Sequence, residues 1–254
     1  MPENQTPQPD DPELPLIAHL AELRGRLLRT LAAVCGVFLV LSFFAGDIHT
    51  LVAAPLLAQI PGDNMIATEV ASPFLVPFKL TLFVAILITA PYLLYHAWAF
   101  VAPGLYRDER RFILPLLTTS VILFYLGNAF AYFVVFPVVF EFFNSFAPAG
   151  VTVMTDITHH LNFVLKMSLA FGLAFEVPIA AIILIRTGIT TAADLRGKRP
   201  YIIVGAFAVG MLLTPPDIIS QLMLALPVWL LFESGLYLSR FFAPAEADGD
   251  EGED

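Results

Sequence analysis

Acidic side chains stand among arginines at two places in this sequence, each beside a long apolar run. Glu22 lies in the segment AELRGRLLR, and Glu109 lies in FVAPGLYRDERR, residues 100–111. If the two segments are neighbours in the fold, these carboxylates can form one patch that holds guanidinium groups by bidentate contacts. The competing interpretation is local ion pairing, of Glu22 with Arg26 and of Glu109 with Arg110. Composition alone favours the local pairs.

Glu176 is an acid deep inside an apolar run, two residues before Pro178. Such an acid costs several kcal/mol unless it faces protein or water, or is protonated. A structural role, accepting a hydrogen bond from freed backbone or a neighbouring helix, and a functional role are both open. His159 and His160 are adjacent, so on a helix they point about 100° apart and make a poor metal chelate.

The usual catalytic signatures are missing from the chain. It contains no GxxxxGK[ST], HExxH, GxSxG or GxGxxG motif. The single cysteine, Cys35, lies inside an apolar run, which excludes a disulfide framework and a CxxC site. We therefore expect a protein that is not an enzyme and that has no cofactor and no metal site.

Composition places most of the chain in lipid. Hydrophobic residues make up 58% and charged residues 14%, and the mean hydropathy is +0.79, far above that of an ordinary water-soluble domain. Ten of the 22 acids lie in the two tails. We expect a disordered cytoplasmic lead over 1–13, a membrane domain over 14–241 and an acidic, disordered cytoplasmic tail over 242–254.

The apolar pattern predicts an all-α protein with six membrane-spanning helices. An amphipathic lead-in helix at the membrane interface, Leu16 to Arg29, precedes the first of them. We expect a bend at Pro137 in the third span and a helix cap at Thr155 or Asp156 before the fourth. The predicted spans are 27–44, 73–100, 111–146, 157–185, 201–213 and 218–239.

Spans five and six are predicted to form a short hairpin. Tyr201 to Leu213 gives roughly 20 Å of helix, less than the hydrocarbon thickness, and a break is expected at Pro227. Polar or adaptable groups near its turn can join helices by hydrogen bonds. These groups are Met211, Thr214 and Gln221. Elsewhere, the spacing of Gly127 and Ala131 permits close approach of two helices.

Basic residues predict the orientation. Of 13 lysines and arginines, 11 lie before span one, between spans two and three, between spans four and five, or after span six. The exceptions are Lys79 and Lys166. The positive-inside rule then places both termini in the cytoplasm.

The sequence closely resembles the TatC family, the multi-spanning receptor subunits of the twin-arginine protein translocase. The resemblance covers nearly the whole chain in the family's order. It rests on HLAELRGRLLR at 19–29, MIATEVASPF at 65–74, WAFVAPGLYRDERR at 98–111, FYLGNAFAYFVVFP at 124–137, AFGLAFEVP at 170–178, and DLRGKRPY through GMLLTPPDIISQ at 194–221.

The resemblance implies six spans in a cupped arrangement in the inner membrane. It also implies that Glu22 and Glu109 bind the paired arginines of a signal peptide on a folded cargo protein, with Arg24 and Phe100 close by. Glu176 would be the family's intramembrane acid.

Partner subunits are implied as well. Single-span subunits of the TatA and TatB type would dock at Met211, Thr214 and Gln221, export would use the proton gradient, and self-association in a receptor complex is expected. Nucleic acid is not an expected partner. The alternative function is a proton-coupled small-solute transporter that uses Glu176, which predicts an internal repeat.

Overall fold

The computed structural model describes the backbone of residues 13–57, 65–101, 110–145, 155–186, 188–213 and 218–242. These residues form helices, joined by short turns and one isolated β-bridge. The helices are α1 (Glu13–Ser42), α2 (Ala45–Leu57), α3 (Ser72–Val101), α4 (Arg110–Phe130), a π-helical turn (Ala131–Val135), α5 (Phe136–Ser145), α6 (Ile157–Ala174), α7 (Val177–Arg186), α8 (Ala192–Gly197), α9 (Arg199–Leu213) and α10 (Ile218–Phe242).

The all-α membrane class is confirmed. Among the described residues, five stretches are long and apolar enough to cross a bilayer: Leu20–Ser42, Ser72–Phe100, Leu114–Phe143, Ile157–Arg186 and Gln221–Ser239. The fifth predicted span corresponds to a shorter apolar helix, Arg199–Met211. Its shortness agrees with the sequence, and the total of six spans stays a prediction.

The lead-in segment and span one form a single helix, α1, of 30 residues from Glu13 to Ser42, and the interfacial position of the lead-in segment stays a prediction. One detail of the predicted helices is wrong. The helix of span six does not break at Pro227, because α10 runs without interruption over 25 residues, from Ile218 to Phe242. A proline removes one backbone hydrogen bond, and a membrane helix packed on its neighbours tolerates that loss.

The distortion expected at Pro137 takes the form of a π-helical turn. Over Ala131–Val135 the helix widens, and the N–H of Phe136 donates to the carbonyl of Ala131, five residues earlier. Pro137 has no N–H, and in a regular α-helix its ring would press on the carbonyl four residues back. The wider turn is a recognised way to accommodate such a site.

The helix of span four is interrupted at Glu176. α6 ends at Ala174 and α7 begins at Val177, with Pro178 in its first turn, where a proline costs little. Helix α10 packs directly on this interruption. A Cβ atom placed on Gly235 would lie 2.7 Å from the Cα atom of Pro178.

One buried cluster holds the centre of the bundle together. It contains Ala131, Val135, Phe136, Val139, Val164, Met167, Phe171, Phe175 and Leu224. In lipid, helices associate through close packing rather than exclusion of water. Gly127 shows how close that packing is, since a Cβ atom there would lie 2.5 Å from the carbonyl oxygen of Phe171.

Asp156 ties together the segments at one end of the bundle, beside α2. It caps α6 as predicted, accepting hydrogen bonds from the N–H groups of Thr158 (2.9 Å) and His159 (3.0 Å). It also accepts from the hydroxyl (2.6 Å) and N–H (3.0 Å) of Thr68, and its backbone pairs with Ile66. These bonds, that of the Thr68 hydroxyl above all, hold the pKa of the Asp156 carboxyl well below its usual range.

Replacing Asp156 by asparagine is expected to lower the midpoint of thermal unfolding by a few degrees. Because the folded-state pKa is depressed, the stability from this carboxylate is complete above its ordinary pKa of about 4 and declines as the pH falls below that value. The measurement is thermal unfolding in detergent between pH 7 and pH 3. A stability loss between pH 5 and 3 that is identical in both proteins would contradict this assignment.

Candidate functional site

An apolar groove of about 520 Å³ lies between α1, α3, α4 and α6. Its walls are aliphatic and aromatic side chains, with few polar atoms. The lining residues that matter here are Arg26, Leu27, Ile86, Ala90, His96, Ala97, Phe100, Leu169 and Leu173. At one end of this groove lie Phe100, near the C-terminus of α3, and Arg26, near the middle of α1.

Glu22 lies at that same end, on α1. Its carboxylate is held by Arg26, with Nε 2.9 Å and Nη2 2.5 Å from Oε1. The local ion pair that the sequence favoured is therefore present. The Glu22 side chain remains 39% exposed, so it is accessible to a second guanidinium. Arg24 is exposed on the same helix, and Phe100 is half-buried.

Two of the predicted site residues, Glu109 and Thr214, lie outside the described residues. Glu109 immediately precedes Arg110, where α4 begins, and Thr214 immediately follows Leu213, where α9 ends. The proposed pairing of Glu109 with Glu22 on one patch stays a prediction.

Glu176 belongs to a buried polar network that joins three spans. Its Oε2 atom accepts a hydrogen bond of 2.5 Å from the Ser120 hydroxyl, and that hydroxyl accepts one of 2.8 Å from the indole N–H of Trp98. The other carboxyl oxygen, Oε1, is buried and has no hydrogen-bond partner in the part of the chain that the structure describes. The structure thus supplies the neighbouring-helix partner that the sequence left open for Glu176, and it adds Trp98 and Ser120.

Replacing Ser120 by alanine is expected to cost about 1–3 kcal/mol of unfolding free energy, because both the indole N–H and the carboxyl oxygen lose their partner in a buried site. The matched control is Thr118→Ala, since the exposed Thr118 hydroxyl bonds only to its own helix, at Leu114. Denaturant unfolding in mixed micelles measures both. Equal stability of the two variants would show that the network does not stabilise the fold.

His96, which was not singled out from the sequence, lines the groove one helical turn before Phe100. His96 is 7% exposed, its ring packs edge-on against Tyr92 and Tyr95, and its Nδ1 atom has no hydrogen-bond partner among the described residues. A buried, unsatisfied nitrogen is costly and uncommon. No motif at this position could have pointed to it, because its burial depends on the packing of α1 on α3.

The α9–α10 hairpin places Met211 and Gln221 near its turn. Met211 is 64% exposed, whereas Gln221 is half-buried, 3.8 Å from a Cβ atom placed on Gly210. Farther from the turn of the hairpin, the Arg199 guanidinium binds the Glu233 carboxylate bidentately, with Nε 2.6 Å from Oε1 and Nη2 2.7 Å from Oε2. This pair was not predicted from the sequence, since 34 residues separate the partners.

His159 and His160 do not form a chelate. His159 is exposed, whereas His160 is buried and stacks on Phe140 with ring centroids 4.8 Å apart. Within the part of the chain that the structure describes, no group of three His, Cys, Asp or Glu side chains could hold a metal ion.

Comparison with known proteins shows the family to which this chain belongs. The sequence model of the family described as Sec-independent protein translocase protein (TatC) matches residues 18–227. The chain belongs to the TatC family. The match covers α1 to the middle of α10, so it includes the whole groove and the Glu176 network.

Relatives and solved structures of the TatC family agree with this assignment. The chain is 57% identical to Sec-independent protein translocase protein TatC of Escherichia coli K12, over 90% of this chain and 89% of that protein. The chain is 55% identical to the protein of the same name from Azotobacter chroococcum, over 96% of this chain and 98% of that protein. A crystal structure of the twin-arginine translocase receptor TatC is similar with a TM-score of 0.79 and 36% identity, over 88% of this chain and 98% of that one.

Membership of the TatC family settles the class of function. The resemblance seen in the sequence is confirmed, and the chain is a membrane protein of the protein translocase, a receptor component of the twin-arginine system. This favours the receptor interpretation over the solute transporter. The family is not one of enzymes, and the absence of catalysis in this chain stays a prediction, as do the roles of individual residues.

Proposed function

We propose that this protein binds the paired arginines of signal peptides on folded cargo at the Glu22 end of the groove. The observation that carries the proposal is the position of Glu22: a carboxylate with 39% of its side chain exposed, at the end of an apolar groove, in a chain of the TatC family. A carboxylate accepts two parallel hydrogen bonds from a guanidinium. Glu109 would supply a second carboxylate.

The shape of the groove suits the apolar part of a signal peptide. A signal peptide has an apolar stretch after its basic residues, and the groove runs from Arg26 and Phe100 along aliphatic side chains of α3 and α6. Phe100, half-buried at the groove end, would pack against the first apolar residues of the peptide, and Arg24 would lie beside the bound segment.

We further infer that single-span subunits of the TatA and TatB type dock at the α9–α10 hairpin. The exposed thioether of Met211 and the amide of Gln221 lie near its turn, and a buried amide in lipid joins helices by hydrogen bonds of about 0.6–2 kcal/mol. Thr214, between them in sequence, would add a hydroxyl. Self-association of receptors belongs to the same proposal.

The proposed location is the inner membrane, with both termini in the cytoplasm. Support comes from the distribution of basic residues, because Arg24, Arg26, Arg196, Lys198 and Arg199 all fall in segments predicted to lie on one side. Folded cargo with its signal peptide would approach from that side, and export would draw on the proton gradient.

Photo-crosslinking from a peptide with two adjacent arginines tests the proposed recognition. A photoreactive residue beside the arginines is expected to label the 20–29 segment of α1 and the Phe100 end of α3, whereas one in the apolar stretch labels groove residues such as Leu173. The control peptide carries two lysines, which cannot make the bidentate contact. Equal labelling by both peptides, or labelling outside the groove, would overturn the proposal.

Glu176→Gln separates the receptor from the proton-coupled transporter. Glutamine keeps the side-chain shape and an oxygen for Ser120, so folding and peptide binding are expected to survive. If export of a cargo protein in membrane vesicles also survives, the charge of Glu176 is not required for transport. Loss of proton-coupled uptake of a small solute would instead favour the transporter.

A further inference from the structure

Two lysines lie within the membrane-spanning helices, at the end of the groove away from Phe100, which we name its outer end. They are Lys79 on α3 and Lys166 on α6. Both side chains are exposed, and neither forms an ion pair with a carboxylate of the described residues. The proposed recognition of signal peptides uses neither. Unpaired charges on membrane helices are costly unless they reach a polar partner.

Lys79 lies on the face of α3 that lines the groove. In an α-helix, residues 7, 11 and 18 positions later return to nearly the same face. For Lys79 these positions are Ile86, Ala90 and Ala97, and all three line the groove. The Lys79 side chain therefore projects on the groove side, about two turns beyond Ile86.

Lys166 has the same relation to the groove on α6. Leu169 and Leu173, three and seven residues later, line the groove and share the exposed face of Lys166. Lys166 therefore lies about one turn beyond the groove lining, also on the groove side.

Packing brings the two lysines to the same helix contact. Val76 and Leu80 of α3 form a buried cluster with Leu161 of α6, and Leu165 packs against it. Leu80 is next to Lys79 in sequence, and Leu165 is next to Lys166. The two lysines thus flank one contact between α3 and α6, at the outer end of the groove.

The depth of the two lysines places them near lipid headgroups. Along α3, Lys79 is about 31 Å from Phe100, and Lys166 is about 30 Å from Arg186 if the interrupted α6–α7 segment counts as one helix. The hydrocarbon core is about 30 Å thick. With Phe100 and Arg186 at one interface, both ammonium groups reach the phosphates of the opposite leaflet, and their stems lie along apolar surface.

We propose that Lys79 and Lys166 together bind the headgroup of an anionic phospholipid whose acyl chains lie in the outer part of the groove. Charge complementarity selects this occupant, because two cations that pair with no carboxylate of the described residues stand above an apolar wall. Each lysine near a membrane surface contributes about a fivefold gain in affinity for an anionic lipid. The site lies at the opposite end of the groove from Glu22, so it goes beyond the proposed peptide recognition.

Native mass spectrometry of the purified full chain in detergent tests the lipid site. Phosphatidylglycerol is titrated against wild type, Lys79→Gln, Lys166→Gln and the double variant, with phosphatidylcholine of the same acyl chains as the uncharged comparison. We expect each single variant to lose about fivefold in affinity for phosphatidylglycerol and the double variant about 25-fold. Affinity for phosphatidylcholine is expected to be equal in all of them.

Two matched controls make the test specific. The Lys79→Arg, Lys166→Arg double variant keeps both charges and is expected to bind as wild type does, and Lys198→Gln removes an exposed lysine at the other end of the molecule without effect. Equal affinity of wild type and the Gln double variant for phosphatidylglycerol would overturn the proposal and point to a partner helix with an acidic side chain. Equal losses for phosphatidylcholine, or after Lys198→Gln, would overturn it too.

Binding of the paired-arginine peptide, measured on the same preparations, keeps the two proposals distinguishable. The Gln double variant is expected to bind that peptide as wild type does, because Glu22 is untouched. Failure of wild type to bind the peptide would count against the recognition proposal alone.

Discussion

Alanine at Glu22 or at Glu109 is expected to weaken binding of a paired-arginine peptide by about 10- to 100-fold. Each substitution removes one carboxylate, and a hydrogen bond to a charged group contributes about 1.5–3 kcal/mol. If both carboxylates hold the same arginine pair, the double variant is expected to lose less binding free energy than the sum of the two single losses. Peptide affinity is measured on purified protein in detergent, by fluorescence anisotropy of a labelled peptide.

The control for these variants is Glu141→Ala, an exposed acid of α5 to which no role is assigned. It is expected to leave peptide affinity unchanged. A second control repeats the titrations with the two-lysine peptide, for which wild-type affinity is expected to be low and the variants are expected to change it little. Unchanged affinity of both Glu22→Ala and Glu109→Ala for the arginine peptide would sink the recognition hypothesis.

Alanine at Gly127 is expected to destabilise the protein by about 3 kcal/mol or more. Its Cβ atom would lie 2.5 Å from the carbonyl oxygen and 2.9 Å from the carbonyl carbon of Phe171. These are backbone atoms, so α4 and α6 must move apart as whole helices, and overpacking of this kind typically costs about 1–3 kcal/mol even where side chains can yield. Gly235→Ala, 2.7 Å from Pro178, is expected to separate α10 from α7 in the same way.

Gly36→Ala and Gly205→Ala are the matched controls. Both glycines lie inside helices, and a Cβ atom on either meets nothing within 4 Å. Alanine there is expected to be neutral or to stabilise by up to about 1 kcal/mol, because it favours the helix. Denaturant unfolding in mixed micelles measures all four variants. If Gly127→Ala is as stable as Gly36→Ala, the close contact of α4 with α6 does not exist in the protein.

Local sequence signals predicted much of this fold. Hydropathy indicates the spanning helices, residue type limits the cap of α6 to Thr155 or Asp156, of which the structure shows Asp156, and the proline at 137 indicates a distortion that the structure places just before it. Glu22 and Arg26 were predicted to pair from their spacing of four. In each case the determining interaction lies within a few residues of the signal.

Interactions between distant residues could not be predicted in this way. Trp98 and Ser120 are polar side chains in apolar runs, and their role depends on the packing that brings them to Glu176. Residue type predicts a break at Pro227, but α10 continues through it, because neighbouring helices compensate for the hydrogen bond that a proline removes.

The Glu22–Arg26 pair has a consequence for the kinetics of cargo handling. Arg26 already bonds to Oε1 of Glu22. Under the proposed recognition, an arginine that engages both carboxyl oxygens bidentately competes with Arg26 for Oε1, so the apparent affinity falls by the fraction of time that the pair occupies this atom. A receptor that holds its ligand weakly releases it quickly. The same residue that completes the groove wall would therefore set the residence time of a signal peptide, which favours handing cargo onward over storing it.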